Sequence, residues 1–82
     1  MNENEVLDKV LLILKDDLGI GGEIDLKTSI IQNKTLDSMD WMSFLTILED
    51  EFAIEIPNAE ADKFQIGYID NLVKFIMKKI NN

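Results

Sequence analysis

The chain contains no cysteine and no histidine among its 82 residues. Without cysteine there is neither a disulfide framework nor a thiolate metal site to hold it together. Without histidine the usual general base and zinc ligand is gone, and with it any Ser-His or Cys-His nucleophile pair. No apolar run approaches the ~20 residues that span a bilayer, and Met1-Asn2-Glu3-Asn4-Glu5 lacks the basic start of a secretory signal. The expected location is therefore cytoplasmic, with no membrane insertion. An Asp-x-Asp-x-Asp-Gly loop is also missing, which removes a calcium sensor of the common helical type. Carboxylates are what remains for catalysis, and nothing in their spacing pairs them, so an enzyme is not expected.

What is present begins with apolar content. Hydrophobic residues make up 46% of the chain and proline occurs once, which fits one globular domain over residues 1–82 rather than disorder. The net charge of -8 is unevenly placed. Residues 36–62 hold eight acids (Asp37, Asp40, Glu49, Asp50, Glu51, Glu55, Glu60 and Asp62) and no base, whereas residues 63–82 hold four lysines and one acid. The central stretch repels nucleic acid and anionic membranes and attracts basic protein surfaces. Taken alone, the stretch reads more simply as a merely soluble surface, and Glu49-Asp50-Glu51 reads equally well as a solvated helix face.

Hydrophobic spacing predicts a first helix from Asn4 to Leu18, with Leu7, Val10, Leu11, Leu14 and Leu18 on one stripe and Gly19 as its stop. Residues 19–36 form a long connection, with Ile24, Leu26, Ile30 and Ile31 as anchors into the core and a turn of helix near Leu26–Ile31. A second helix runs from Asp37-Ser38 to Phe52, capped by Asp37 or Ser38, with Met42, Leu45, Leu48 and Phe52 inward and Met39, Trp41 and Phe44 flanking. Phe52 to Pro57 alternates like a strand but has no partner strand, so it reads as an extended connection dropping Ile54 and Ile56 into the core. Asn58 caps a short helix over Ala59–Phe64, Gly67 breaks the chain, and a last helix spans Ile69–Ile80. The expected fold is all-α: a small four-helix bundle of three main helices and one short one, with a long loop between the first two.

The stretch Leu36-Asp37-Ser38-Met39-Asp40, at the head of an acidic amphipathic helix, resembles the prosthetic-group site of the acyl carrier protein family, where an Asp-Ser-Leu triplet bears 4'-phosphopantetheine on its serine. Met39 stands where the family has leucine. Glu49-Asp50-Glu51-Phe52 resembles the acidic run late in the family's second helix, Ile54-Glu55-Ile56-Pro57 its exit from that helix, and Asp70 to Ile76 its last helix. By itself an Asp-Ser-apolar triplet is an N-cap signal worth ~1 kcal/mol to a helix. The surrounding order of elements turns it into a carrier signature. A helix N-terminus, with unpaired N–H groups and the positive end of the dipole, is also a good place for a phosphodiester.

The resemblance implies that Ser38 receives 4'-phosphopantetheine from coenzyme A by the action of a phosphopantetheinyl transferase, and that the arm holds acyl intermediates as thioesters. It implies partner enzymes with basic surfaces, for acyl transfer, condensation or ligation, docking on Asp37, Met39, Asp40, Glu49 and Asp50. Met39, Met42 and Leu45 are the expected lining of an acyl pocket, although ordinary core packing is the simpler role for Met42 and Phe44. Trp41, three residues beyond Ser38, is expected to face the arm. A monomer is expected. Gln32-Asn33-Lys34-Thr35 replaces the acidic pair and leucine common before the family's serine, and Ser43 replaces a frequent glutamate. Those departures leave the carrier expectation intact but open, beside fatty acid synthesis, a specialised carrier of D-alanyl, aminoacyl or polyketide groups. The rival from another class is an acidic helical adaptor with no prosthetic group, in which Ser38→Ala would weaken a cap and leave function intact.

Overall fold

The computed structural model describes residues 1–81. Helix α1 covers Glu3–Leu12 and starts with a reciprocal cap: the Glu5 N–H donates to Asn2 Oδ1 at 2.9 Å while the Asn2 N–H donates to Glu5 Oε1 at 3.1 Å. Val6 and Val10 are its fully buried positions. The chain then widens into a π-helical turn over Ile13–Asp17, in which the Leu18 N–H reaches five residues back to the Ile13 carbonyl at 3.2 Å. Both Ile13 and Leu14 are buried across that turn, whereas Leu12 stays 57% exposed. The expected helix to Leu18 thus ends one widened turn after its α portion. Gly19, at φ +68°, closes it, and the Ile20 N–H donates to the Leu14 carbonyl at 2.9 Å.

The long connection folds as a series of turns rather than the expected helical turn at Leu26–Ile31. The Asp25 carboxylate competes with helical bonding there: it accepts the Lys27 N–H at 2.9 Å and the Thr28 hydroxyl at 3.0 Å. These two bonds hold its carboxyl below the usual carboxylate range. The segment is clipped to the start of the last helix by an isolated antiparallel bridge between Ser29 and Tyr68. The Ile30 N–H donates to the Gly67 carbonyl at 2.9 Å, and the Asp70 N–H to the Leu26 carbonyl at 3.2 Å. Gly67 does more than break the chain, because a Cβ on it would lie 2.9 Å from Ser29 Oγ and 3.1 Å from Ile31 Cδ1. Ile30 and Leu36 enter the core as buried anchors, and Ile24 and Leu26 pack against its edge. Ile31 does not: it is 44% exposed, since the turn that buries Ser29 and Ile30 carries the next side chain outward.

Helix α2 spans Ser38–Phe52. Its buried face is Phe44, Leu45, Leu48 and Phe52, with Trp41 packed against the same core. Met42 was expected inside that stripe but is 55% exposed. At 3.6 residues per turn it sits about 100° around the helix from Trp41, and Phe44 takes the central place with no exposed surface. The helix ends at Ala53 in the left-handed region, φ +53°. Ile56 beyond it is buried and Ile54 is half-buried.

Helix α3 covers Asn58–Lys63, and Pro57 rather than Asn58 takes the N-cap position. Its extended backbone (φ -63°, ψ 145°) leads into the helix and its carbonyl accepts the Ala61 N–H at 2.9 Å, both of which proline can do without an N–H of its own. Helix α4, Ile69–Ile80, buries Ile69, Leu72, Val73, Phe75 and Ile76, and carries Lys78 and Lys79 in its last turn, where the helix dipole favours them. Among the described residues the result is the expected all-α bundle, four α-helices around one apolar core.

Candidate functional site

The N-terminus of α2 is built by three consecutive residues. Asp37 has extended backbone and its Oδ1 accepts the Asp40 N–H at 2.8 Å, while its carbonyl accepts the Trp41 N–H at 2.9 Å. Asp37 is therefore the cap, and Ser38 is the first helical residue. The Ser38 side chain is exposed and makes no hydrogen bond among the described residues. The N–H groups of Ser38 and Met39 precede the first intrahelical bond, so they have no helical acceptor and lie at the positive end of the helix dipole.

Met39 is 80% exposed and Asp37 is exposed beside it, with Asp40 half-buried. These expected docking residues share the same end of α2. Glu49 and Asp50 lie roughly 16 Å farther along the helix axis. Asp50 is exposed. Glu49 is half-buried, and its Oε2 accepts the Ile56 N–H at 2.9 Å, a structural bond that sequence reasoning missed. Of the three residues expected to line an acyl pocket, Leu45 is buried in the core whereas Met39 and Met42 are exposed.

A groove of about 420 Å³ opens beside Trp41, bordered by Ser29, Ile31, Gln32, Gln65 and Tyr68. The Trp41 ring packs against Phe44 at a centroid distance of 5.9 Å. Because the groove joins the long connection to the turn before α4, no local pattern announces it. Gly67, between Gln65 and Tyr68, was the one signal available. Among the described residues no group of carboxylates is placed to hold a metal ion.

The model of the phosphopantetheine attachment site family matches residues 8–76. The acyl carrier protein of Thermosynechococcus vestitus is 33% identical over 81 residues, covering 98% of both chains. That of Clostridium acetobutylicum is 39% identical over 71 residues, covering 84% of this chain and 92% of its own. The chain belongs to the acyl carrier protein family. The acyl carrier protein of Guillardia theta agrees, with 31% identity over 98% of both chains. No solved structure matches significantly.

An acyl carrier protein is a carrier and not an enzyme, and its prosthetic group is phosphopantetheine. The head of α2 suits such a group. An exposed hydroxyl at a helix N-terminus needs nothing displaced to accept a phosphodiester, and the neighbouring Asp37 carboxylate is already engaged with the Asp40 N–H. Among the described residues no side chain is hydrogen-bonded to the Ser38 hydroxyl as a base would be, and the chain has no histidine. Among the described residues no helix is long and apolar enough to cross a membrane.

Proposed function

We propose that residues 1–82 act as one carrier domain, in which Ser38 bears the 4'-phosphopantetheine arm donated by coenzyme A. When attached, that group supplies a terminal thiol on which acyl chains are held as thioesters. The observation that carries this reading is the exposed, unbonded Ser38 hydroxyl at the first position of α2. A hydroxyl buried or turned inward mid-helix would have been unreachable to a transferase.

Asp37, Met39 and Asp40 then form the part of the surface read first by partner enzymes, with Glu49 and Asp50 extending it along α2. Basic patches on the phosphopantetheinyl transferase and on acyl-transfer, condensation or ligation enzymes are the complementary surfaces. Exposed charges of this kind chiefly raise association rates and select partners. We place the carrier in the cytoplasm, as a monomer, in fatty acid or related biosynthesis. The groove beside Trp41 favours a second reading, a specialised carrier. Ser29, Gln32, Asp62, Gln65 and Tyr68 set polar groups among the apolar Ile31, Ala61 and Ile66, a mixed lining better matched to a short hydroxylated or amino-bearing cargo than to a long alkyl chain.

The deciding experiment is intact mass after incubation with coenzyme A and a promiscuous phosphopantetheinyl transferase. One adduct, abolished by Ser38→Ala, is expected. Folded protein that takes no adduct, or takes it elsewhere, overturns the reading.

A further inference from the structure

We propose that Met39 and Met42 are an oxidant-sensitive modification site that switches the docking face around Ser38; this rests on Ser38 being the point that the transferase must reach. Met39, 80% exposed, is the most exposed large apolar side chain among the described residues, and Met42 is 55% exposed. They are three residues apart on α2, so their side chains lie about 60° from one another around the helix and roughly 4.5 Å apart along it. Asp37, Ser38 and Ser43 are the exposed residues between and beside them. Within that end of α2 the two thioethers are thus the apolar patch in a polar, acidic surround.

An enzyme that reaches the Ser38 hydroxyl has to close over this patch. Burying two flexible thioethers favours that contact, because methionine adapts its shape to the opposing surface. The exposure that makes them good contacts also makes them the accessible soft sulfurs of α2, in a chain with no cysteine. A peroxide can oxidise each one. The thioether sulfur attacks the peroxide oxygen, the O–O bond breaks, one oxygen stays as the sulfoxide, and the other leaves as water. The sulfur loses two electrons and the peroxide gains them. The sulfoxide is polar and chiral, so the patch ceases to be apolar and docking weakens. Methionine sulfoxide reductases reverse the change, returning the oxygen as water at the expense of two thiols. Because neither side chain belongs to the buried core, the bundle itself stays folded.

The test treats the arm-free chain with hydrogen peroxide until peptide mapping finds sulfoxide at positions 39 and 42. The rate of transferase-catalysed addition from coenzyme A is then measured with helicity followed by circular dichroism. Losing most of the apolar contact should slow addition roughly tenfold. Helicity should be unchanged, and treatment with both methionine sulfoxide reductases should restore the rate. A Met39→Leu/Met42→Leu chain given the same peroxide should keep its own untreated rate, even though Met1 and Met77 remain oxidisable. An oxidised chain modified as fast as the untreated one overturns the inference while leaving the carrier reading intact. So does a slowing accompanied by loss of helix, or one that persists in the double variant. An untreated chain that accepts no adduct overturns both.

Discussion

The Asp37 carboxylate takes the Asp40 N–H at 2.8 Å, and Ser38 between them leaves its hydroxyl free. Capping and modification are therefore assigned to adjacent residues and can be separated by mutation. Asp37→Ala should cost about 1 kcal/mol of stability, as loss of an N-cap usually does, and Asp37→Asn much less. Ser38→Ala should change stability by no more than a few tenths of a kcal/mol, since it removes an unbonded side chain, while abolishing the adduct. Urea denaturation of the three variants checks this. A Ser38→Ala loss as large as that of Asp37→Ala would mean that the serine is the cap.

Glu49 links docking surface to fold. Its side chain accepts the buried Ile56 N–H at 2.9 Å, just past the left-handed residue Ala53, and its carbonyl accepts the Ile54 N–H at 3.1 Å. Glu49→Ala orphans that N–H and should destabilise by about 1–2 kcal/mol. Glu49→Gln keeps an acceptor oxygen and should retain more than half of the difference. If docking reads the charge, both variants should slow association with a basic partner alike. An alanine variant as stable as the unsubstituted chain would show that the bond contributes nothing.

How much of this was legible in the sequence depends on how local the cause was. The helices could be read because Val6, Val10, Leu48, Phe52, Leu72 and Ile76 keep the helical period through segments of ten residues or more. Ser38 could be read because a cap, an acidic first turn and the following run lie within one short stretch. Met42 was misassigned because an apolar residue two places from Phe44 fits either edge of the stripe, and tertiary packing chose the other rotation. Ile31 failed for the same reason in a segment with no period at all. The widened turn at Ile13–Asp17 and the bridge between Ser29 and Tyr68 depend on partners that no neighbouring residue reveals.

The contact at Gly67 gives a prediction with an internal control. An alanine Cβ there would press on Ser29 Oγ and Ile31 Cδ1, and Ser29 Oγ is already accepting the Gln32 N–H at 3.2 Å. Gly67→Ala should destabilise by about 1–2 kcal/mol through overpacking. Adding Ser29→Ala, which removes the closer obstruction, should make the pair less damaging than the sum of the two single changes. Strict additivity in thermal or urea unfolding would place the strain elsewhere.

Eight acids and no base between residues 36 and 62 leave the middle of the chain self-repelling. Two ion pairs reach into this stretch among the described residues, Lys9 to Glu51 at 2.8 Å and Lys79 to Glu60 at 3.2 Å. Both are partly exposed, so each contributes little. Raising ionic strength from about 0.01 M to about 0.1 M shortens the screening length from ~30 to ~10 Å and should relieve more repulsion than attraction. The melting temperature should rise, by about 4–8 °C for each kcal/mol relieved in a domain of this size. A flat or falling response would mean that the acids are already compensated.

Trp41 offers a direct view of where cargo rests, because it is the one tryptophan in the chain. It stands three residues after Ser38, roughly 4.5 Å along the α2 axis, and lines the groove shared with Gln65 and Tyr68. Its ring is half-buried against Phe44, which leaves one part of the indole open to whatever enters. An acyl group settling there would displace water from the indole, shifting emission to the blue and shielding it from acrylamide. Loading the arm with a short hydroxyacyl group should therefore change both signals relative to the unacylated arm. A long saturated chain should change them less, since the mixed lining leaves fewer apolar contacts for it. Emission and quenching that stay constant across both cargoes would remove Trp41 from the cargo path, and a larger response to the long chain would return this carrier to ordinary fatty acyl traffic.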